Sequence, residues 1–465
     1  MNKWESIPVS EKLFTNVAET SLTKASAALE NAFINESGGF TRFPGLEQVL
    51  TMAVPGRVYL GKWRNDLIAV VGGKVFRISQ ALAAQDVTGE AVGGGRRVTF
   101  GGTETELVMA AGGNPILFDG DVTELLSVDA PLSTHVAYVE GYVLAAETDT
   151  SFFQHTTANA ARDWDPLDTF AANVRPDKVN ALVASPYGEV LVCGTDSVEQ
   201  YERLQSGTVP FYRRWTAGEG LYAPYTLISD KDGNWGVNNR FEFVRFSGQS
   251  SQSASDDIGR SLEKIDDWTD AWAVQMNLVG QKFMLLQMPM ATNVYQTKGV
   301  TLIYDYRQKK WLNLYGWDSD AGLPVRWPGW SYIQMWGRHF VGGEGVLYEL
   351  KETCFTNGAQ VQRILGRTAH IGRFGEVEIA NVRMRVKRGV GTNDVEPVIN
   401  LRCLKDNKTW TRWVRKGLGK SGDRAMTIEF GPMGMCNTFQ FEWYVSDACE
   451  LEIVDMQAQM MPLGD

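Results

Sequence analysis

Leu67-Ile-Ala-Val-Val-Gly-Gly-Lys-Val-Phe-Arg-Ile78 is an apolar run, a Gly-Gly turn and a second apolar run. Forty residues on, Leu107-Val-Met-Ala-Ala-Gly-Gly-Asn-Pro-Ile-Leu-Phe118 repeats it, with Gly72-Gly73 recurring as Gly112-Gly113. Two β-prone runs joined by Gly-Gly form a hairpin, because tight hairpin turns need positive φ. A hairpin recurring at this period is the signature of propeller blades.

The echo continues more loosely. Val143-Leu-Ala-Ala-Glu-Thr-Asp-Thr-Ser-Phe-Phe153, Val190-Leu-Val-Cys-Gly-Thr-Asp-Ser-Val-Glu-Gln-Tyr201 and Asp232-Gly-Asn-Trp-Gly-Val-Asn-Asn-Arg-Phe-Glu-Phe-Val244 are further hairpins. Phe283-Met-Leu-Leu-Gln287 with Val300-Thr-Leu-Ile-Tyr-Asp-Tyr306 and Trp311 is another, and His339-Phe-Val-Gly-Gly-Glu-Gly-Val-Leu-Tyr-Glu-Leu350 returns to the opening pattern. No such unit buries its faces alone, so the units must stack around a shared axis. The expectation is an all-β chain whose residues 46–365 form a β-propeller of six or seven irregular blades. A large β-sandwich or two barrels is the alternative.

The flanks read differently. Residues 1–45 are a lead-in, partly helical, because Ser21-Leu-Thr-Lys-Ala-Ser-Ala-Ala-Leu-Glu-Asn31 is rich in helix formers with Ser21 or Thr23 as a cap. Phe43-Pro-Gly-Leu46 reads as a type II turn with Gly45 at positive φ. Ser247-Gly-Gln-Ser-Ser-Gln-Ser-Ala-Ser255 reads as a polar loop. It feeds a helix capped by Ser255 or Asp256, with Ile258, Leu262 and Ile265 on one face. From residue 366 the texture becomes a C-terminal β-sandwich over residues 366–465. Ala380-Asn-Val-Arg-Met-Arg-Val-Lys-Arg388 alternates strictly, and five more strands follow, from 397, 410, 425, 438 and 449. Lys405-Asp-Asn-Lys408 is a tight turn between two of them.

Charge is informative once divided. Residues 366–465 carry 14 Lys+Arg and 13 Asp+Glu, so the chain's formal −10 leaves −11 on residues 1–365. An acidic body binds nucleic acid poorly. No apolar stretch approaches the roughly 20 residues that span a bilayer. The start, Met1-Asn-Lys-Trp-Glu-Ser6, lacks a signal-peptide core. Cys193, Cys354, Cys403, Cys436 and Cys449 include no C-x-x-C pair, which fits a reduced compartment.

A search for chemistry returns little. His135, His155, His339 and His370 show no metal spacing. Gly419-Lys-Ser421 lacks the leading glycine of a phosphate loop, and Gly93-Gly-Gly95 precedes Arg96-Arg97 and a strand, not a helix. Ser229-Asp-Lys-Asp-Gly-Asn-Trp235 resembles a sialidase Asp-box in the wrong register, so Asp230 and Asp232 read as a hairpin turn before calcium ligands. Asp163-Trp-Asp-Pro-Leu-Asp168 and Asp266-Asp-Trp-Thr-Asp270 could pair carboxylates as a glycosidase does, or be solvated loops. The face Arg383, Arg385, Lys387 and the run from Arg412 to Lys420 could touch phosphate, or be solvated or pair with a neighbouring subunit's acids. No catalytic, cofactor-binding or metal-binding residue is assigned.

Several pieces together resemble a family. Ser37-Gly-Gly-Phe-Thr-Arg-Phe-Pro-Gly45, Gly72-Gly-Lys-Val-Phe76, Glu189-Val-Leu-Val-Cys-Gly-Thr-Asp-Ser-Val-Glu-Gln-Tyr201, Ser261-Leu-Glu-Lys-Ile265 and Ile303-Tyr-Asp-Tyr-Arg-Gln-Lys-Lys-Trp311 occur in order. They are similar to segments of the packaged-DNA stabilisation proteins of short-tailed bacteriophages, also described as tail hub or nozzle proteins. The resemblance spans residues 37–460 and implies a structural virion protein of the tail, not an enzyme, assembled in the host cytoplasm. It implies a homo-oligomer, a six-fold ring below the portal and adaptor, with needle, fibre or spike proteins beneath. Double-stranded DNA would be retained and then ejected through the channel without sequence-specific binding, and no cofactor is implied. A propeller glycosidase or lyase with acids at its axis, and a soluble interaction module, are the alternatives.

Overall fold

The computed structural model describes residues 3–7, 28–204, 209–391, 394–423 and 427–463. The quoted hairpin is Asp66–Val71 and Lys74–Ile78, joined by Gly72 at φ +56° and Gly73 at φ +84°. Its first strand is an unbroken apolar run because both faces are covered. Ile68 and Val70 enter one hydrophobic cluster, while Leu67, Ala69 and Val71 enter another on the opposite face. The repeat behaves alike: Leu107 and Met109 share the first cluster, and Val108 and Ala110 enter a third. Neighbouring sheets thus stack face to face through alternate residues of one strand.

Among the described residues, seven antiparallel four-stranded units follow one another, which sets the expected six or seven blades at seven. Their first strands are Val58–Trp63, Thr99–Gly102, Ser133–Val139, Val179–Ala184, Ile228–Asp230, Trp272–Leu278 and Ser331–Met335. The repeated hairpins are the second and third strands of each meander. Blade seven has only three strands from its own stretch, ending at Val346–Lys351. Its fourth is Gly45–Thr51 from the start of the ring, antiparallel to Val346–Lys351. The ring is therefore closed by hydrogen bonds between its two ends.

Four readings of the sequence are corrected here. Gly45 does not take positive φ; it begins the closing strand, and a Cβ there would lie 2.5 Å from the carbonyl oxygens of Cys354 and Thr356. Of the N-terminal helix, residues 21–27 lie outside the described residues, while Ala28–Glu30 is a strand. It pairs antiparallel with Arg367, Gly366 and Leu365, and parallel with Asn313 of blade six. These ladder bonds override helix propensity. The polar stretch after Ser247 is not a loop: Ser250–Ser253 is the outer strand of blade five, turned by Gly248 at φ +62°. The helix it feeds is one 3-10 turn, Asp256–Ile258, and Gly259–Glu263, with Ile258 and Leu262 buried as expected. Ser255 does not cap it; its Oγ accepts the N–H of Phe243 at 2.9 Å.

Beyond the ring, Ile371–Val386, Val398–Lys405, Gly434–Val445 and Glu452–Pro462 dominate. Gly434–Val445 pairs with Ile371–Val386 at one end, and with Ile364–Arg367 and Val398–Lys405 at the other. Val382, Met384 and Val386 share a core with Phe439, Phe441, Trp443, Ile399 and Leu401. The Lys405-to-Lys408 turn forms as read, with Asp406 at φ +47° and Asn407 at φ +54°.

All five cysteines carry free thiols, four of them buried and Cys354 half-buried. Burial pushes the thiols of Cys403 and Cys436 up to about 12 and about 11. A thiol titration of the native protein is expected to find Cys354 alone reactive, the other four appearing only on unfolding.

Candidate functional site

The first strands of the blades face one another around the axis. Glycines let neighbouring blades approach. A Cβ on Gly101 would meet the backbone of Ala137 in the next first strand at 2.9 Å, and one on Gly342, in the second strand of blade seven, the carbonyl oxygen of Val58 at 2.2 Å. At Tyr225 and Trp272 two consecutive blades form a parallel bridge. At the axis lies a cavity of about 190 Å³, open to solvent and lined by residues from six blades, including Tyr59, Arg97, His135, Tyr225, Trp272 and Tyr332.

Arg97 sits in this cavity with 7% of its surface exposed. Its guanidinium lies 5.1 Å from the ring centre of Tyr59 and 4.8 Å from that of Trp272. Nη1 donates to the carbonyl of Trp330 at 2.5 Å. Nε and Nη2 are buried without a protein acceptor. The Trp330 ring is itself approached by Arg57 at 4.0 Å and Arg326 at 3.9 Å. Two carboxylates answer three guanidinium groups: Asp270 pairs with Arg57, and Glu344 accepts from Trp330 Nε1 at 2.9 Å. Burial pushes both Arg97 and Arg326 down to about 10, against the pull of Asp270 on Arg97 and of Glu344 on Arg326, so both stay cationic at neutral pH. An acidic protein therefore has a positive axis.

His135 stacks on Tyr225, ring centres 4.9 Å apart, and its Nδ1 meets Thr134 Oγ1 at 3.1 Å. Burial, with Arg96 adding repulsion, pushes it from 6.5 down to about 3, so the folded protein holds it neutral. The unfolded chain takes up this proton as pH falls below 6.5 while the folded chain does not until about 3. Its contribution to stability is thus present above 6.5 and lost on acidification. His135→Gln is expected to flatten the pH dependence of the urea midpoint within that window, relative to the unchanged protein.

The acids singled out in the sequence do not gather here. Asp165 and Asp168 lie on Trp164–Ala171, the outer strand of blade three, and Asp163 precedes it. Asp266 accepts the backbone N–H and hydroxyl of Thr292 at 2.8 and 2.7 Å, and Asp267 the N–H of Thr269. Only Asp270 reaches the axis, and Arg57 holds it. Asp230 and Asp232 share Lys282 as their cation, so that ammonium stands where calcium was weighed. Among the described residues, no three His, Cys, Asp or Glu side chains converge as metal ligands.

The basic strand face is solvated at Arg385 and Lys387, as one of its readings had it, and its partners lie within this chain. Arg385 pairs with Asp455 and Lys387 with Glu450 of this same chain, and Arg383 donates to Gln457. Arg412, Arg415, Lys416 and Lys420 stay exposed, and Gly419 turns at φ +84°. Arg97 escaped the sequence reading because the glycines before it were weighed as a phosphate loop and the arginine was not. The signal was a charged residue two positions ahead of the first strand of blade two, Thr99–Gly102.

Comparison with known proteins completes the description. The family model described as bacteriophage P22 Gp10, beta-propeller, matches residues 25–355. Among solved structures, YCF48 bound to D1 peptide is similar over 66% of this chain and 97% of that one, at 12% identity and a TM-score of 0.39. The N-terminal domain of Nup159 is similar over 70% and 99%, at 10% identity and a TM-score of 0.38. No curated protein matches the sequence.

Proposed function

The chain belongs to the bacteriophage P22 Gp10 β-propeller family, and on that premise we propose that it is the tail nozzle of a short-tailed phage. The match over residues 25–355 carries this reading. In it, six copies form a ring below the portal and adaptor, needle, fibre or spike proteins attach beneath, and packaged DNA is retained and later conducted outward. The particle assembles in the host cytoplasm. Residues 46–365 act as the propeller unit and residues 366–465 as the sandwich unit. The role is structural and needs no catalytic group.

The axis supports a channel between subunits in place of one through each propeller. A cavity of only about 190 Å³, walled by Arg97, Trp272 and Tyr59 among others, admits no duplex, whose major groove alone is about 12 Å wide. The acidic outer surface of the propeller would then form the wall, repelling phosphate so that DNA slides and does not stall. Among the described residues no helix is long and apolar enough to cross a membrane, and this reading requires none.

Imaging of purified virions, with native mass spectrometry of the isolated chain, tests the proposal. A six-fold ring at the tail, carrying this chain, is the expected result. Absence of the chain from virions would overturn it.

A further inference from the structure

We propose that the propeller axis is a binding site for one small oxyanion, of phosphate, sulfate or carboxylate chemistry, held by Arg97. The inference starts from a comparison of arginines within the chain. Arg338 offers Nε and Nη2 to the two carboxylate oxygens of Glu349 at 2.8 and 2.5 Å. Arg367 and Arg402 turn the same edge to Glu442. That edge is the donor fork that matches a planar or tetrahedral oxyanion. At Arg97 the same two nitrogens are buried with no protein acceptor, and Arg97 is one of the residues lining the axial cavity.

A guanidinium buried this way is costly unless an anion answers it. Neither nearby carboxylate bonds it directly: Asp270 pairs with Arg57, and Glu344 accepts from Trp330. The cavity of about 190 Å³ has room for several groups the size of a water, each about 30 Å³. The phenols of Tyr59 and Tyr225 line it and can add neutral donors. Burial of the surrounding rings lowers the local dielectric and strengthens the contact with a bound anion. Nothing in this arrangement reads a larger ligand, so the specificity is for charge and oxygen geometry.

The test uses the intact chain with inorganic phosphate, sulfate and acetate as separate titrants and chloride as the control. Binding is followed by calorimetry and, for phosphate, by ³¹P line broadening. Saturable one-to-one binding of at least one oxyanion, absent with chloride, is expected. Preference for phosphate and sulfate would identify a free inorganic ion as the occupant; preference for acetate would identify a carboxylate side chain. Arg97→Met is expected to abolish binding. Arg97→Lys, which keeps the charge and loses the fork, is expected to weaken it about tenfold or more. No saturable binding to the unchanged chain, or unchanged affinity in Arg97→Lys, would overturn the proposal.

Discussion

Truncating Leu46 to alanine is expected to lower the unfolding free energy by about 2–5 kcal/mol, and Leu46→Asp to prevent the ring from closing. Leu46 is fully buried in the largest core of the molecule, with Phe43, Trp327, Val341 and Leu350. It stands opposite Leu350 in blade seven, and on its other side the hairpin of Thr356–Asn357 and Gln360–Val361 continues the sheet through Asn357. The Leu46 carbonyl accepts the N–H of Gly358 at 2.7 Å. One residue thus packs two edges of the seam, and its methyl groups cannot be replaced by collapse of either edge. A carboxylate at this position would lie in an apolar core, while the seam's pair of Glu47 with Lys351 is partly exposed. Burying an unpaired charge costs more than a cavity. Urea unfolding should show the alanine variant shifted in midpoint with an unchanged slope. The aspartate variant should be cleaved by a protease near residue 45 while the unchanged protein resists.

Replacing Glu442 by alanine is expected to cost about 3 kcal/mol or more. Glu442 is 1% exposed on Gly434–Val445, and stands directly opposite Arg367 on one neighbouring strand and Arg402 on the other. Arg367 Nε lies 2.6 Å from its Oε2 and Arg402 Nε 2.8 Å from its Oε1. Arg402 is further flanked by Trp410 and Trp413, ring centres 4.1 and 4.3 Å from the guanidinium. Removing the carboxylate leaves two cations one strand apart with nothing between them. Both arginines keep about a quarter of their side chains in solvent, which holds the loss to the lower end of the range for a broken buried pair. The triple replacement of Arg367, Glu442 and Arg402 by leucine should recover most of the loss, because the whole triad was costly to bury. Equal destabilisation of single and triple variants would refute the argument.

The hairpins were readable because their strands are covered on both faces, which turns alternation into the runs at Leu67 and Leu107. The strict alternation of Val382, Met384 and Val386 was readable for the opposite reason, a strand with one face inward. What local pattern could not reveal was partnership at a distance. Gly45–Thr51 is an ordinary stretch until its partner appears about 300 residues later. Ala28–Glu30 is helix-prone until ladders on both sides hold it extended. Ser250–Ser253 carries no apolar residue, because an outer blade strand needs only backbone pairing. The axial arginines were invisible because six separate blades assemble their surroundings, and no window of sequence contains more than one or two of them.

The seam of blade seven also sets a timetable. A ribosome adding about 5–20 residues per second releases Gly45–Thr51 roughly 15–60 s before Val346–Lys351 exists to receive it. Through that interval the strand is an open edge beside growing apolar sheets, and any other edge can claim it. Its own sequence offers protection: Glu47 and Gln48 are exposed in the finished strand. An early carboxylate at the free edge would discourage mispairing until Lys351 emerges as its partner. The propeller cannot mature one blade at a time, and its last strands to be synthesised decide when the first one is allowed to settle.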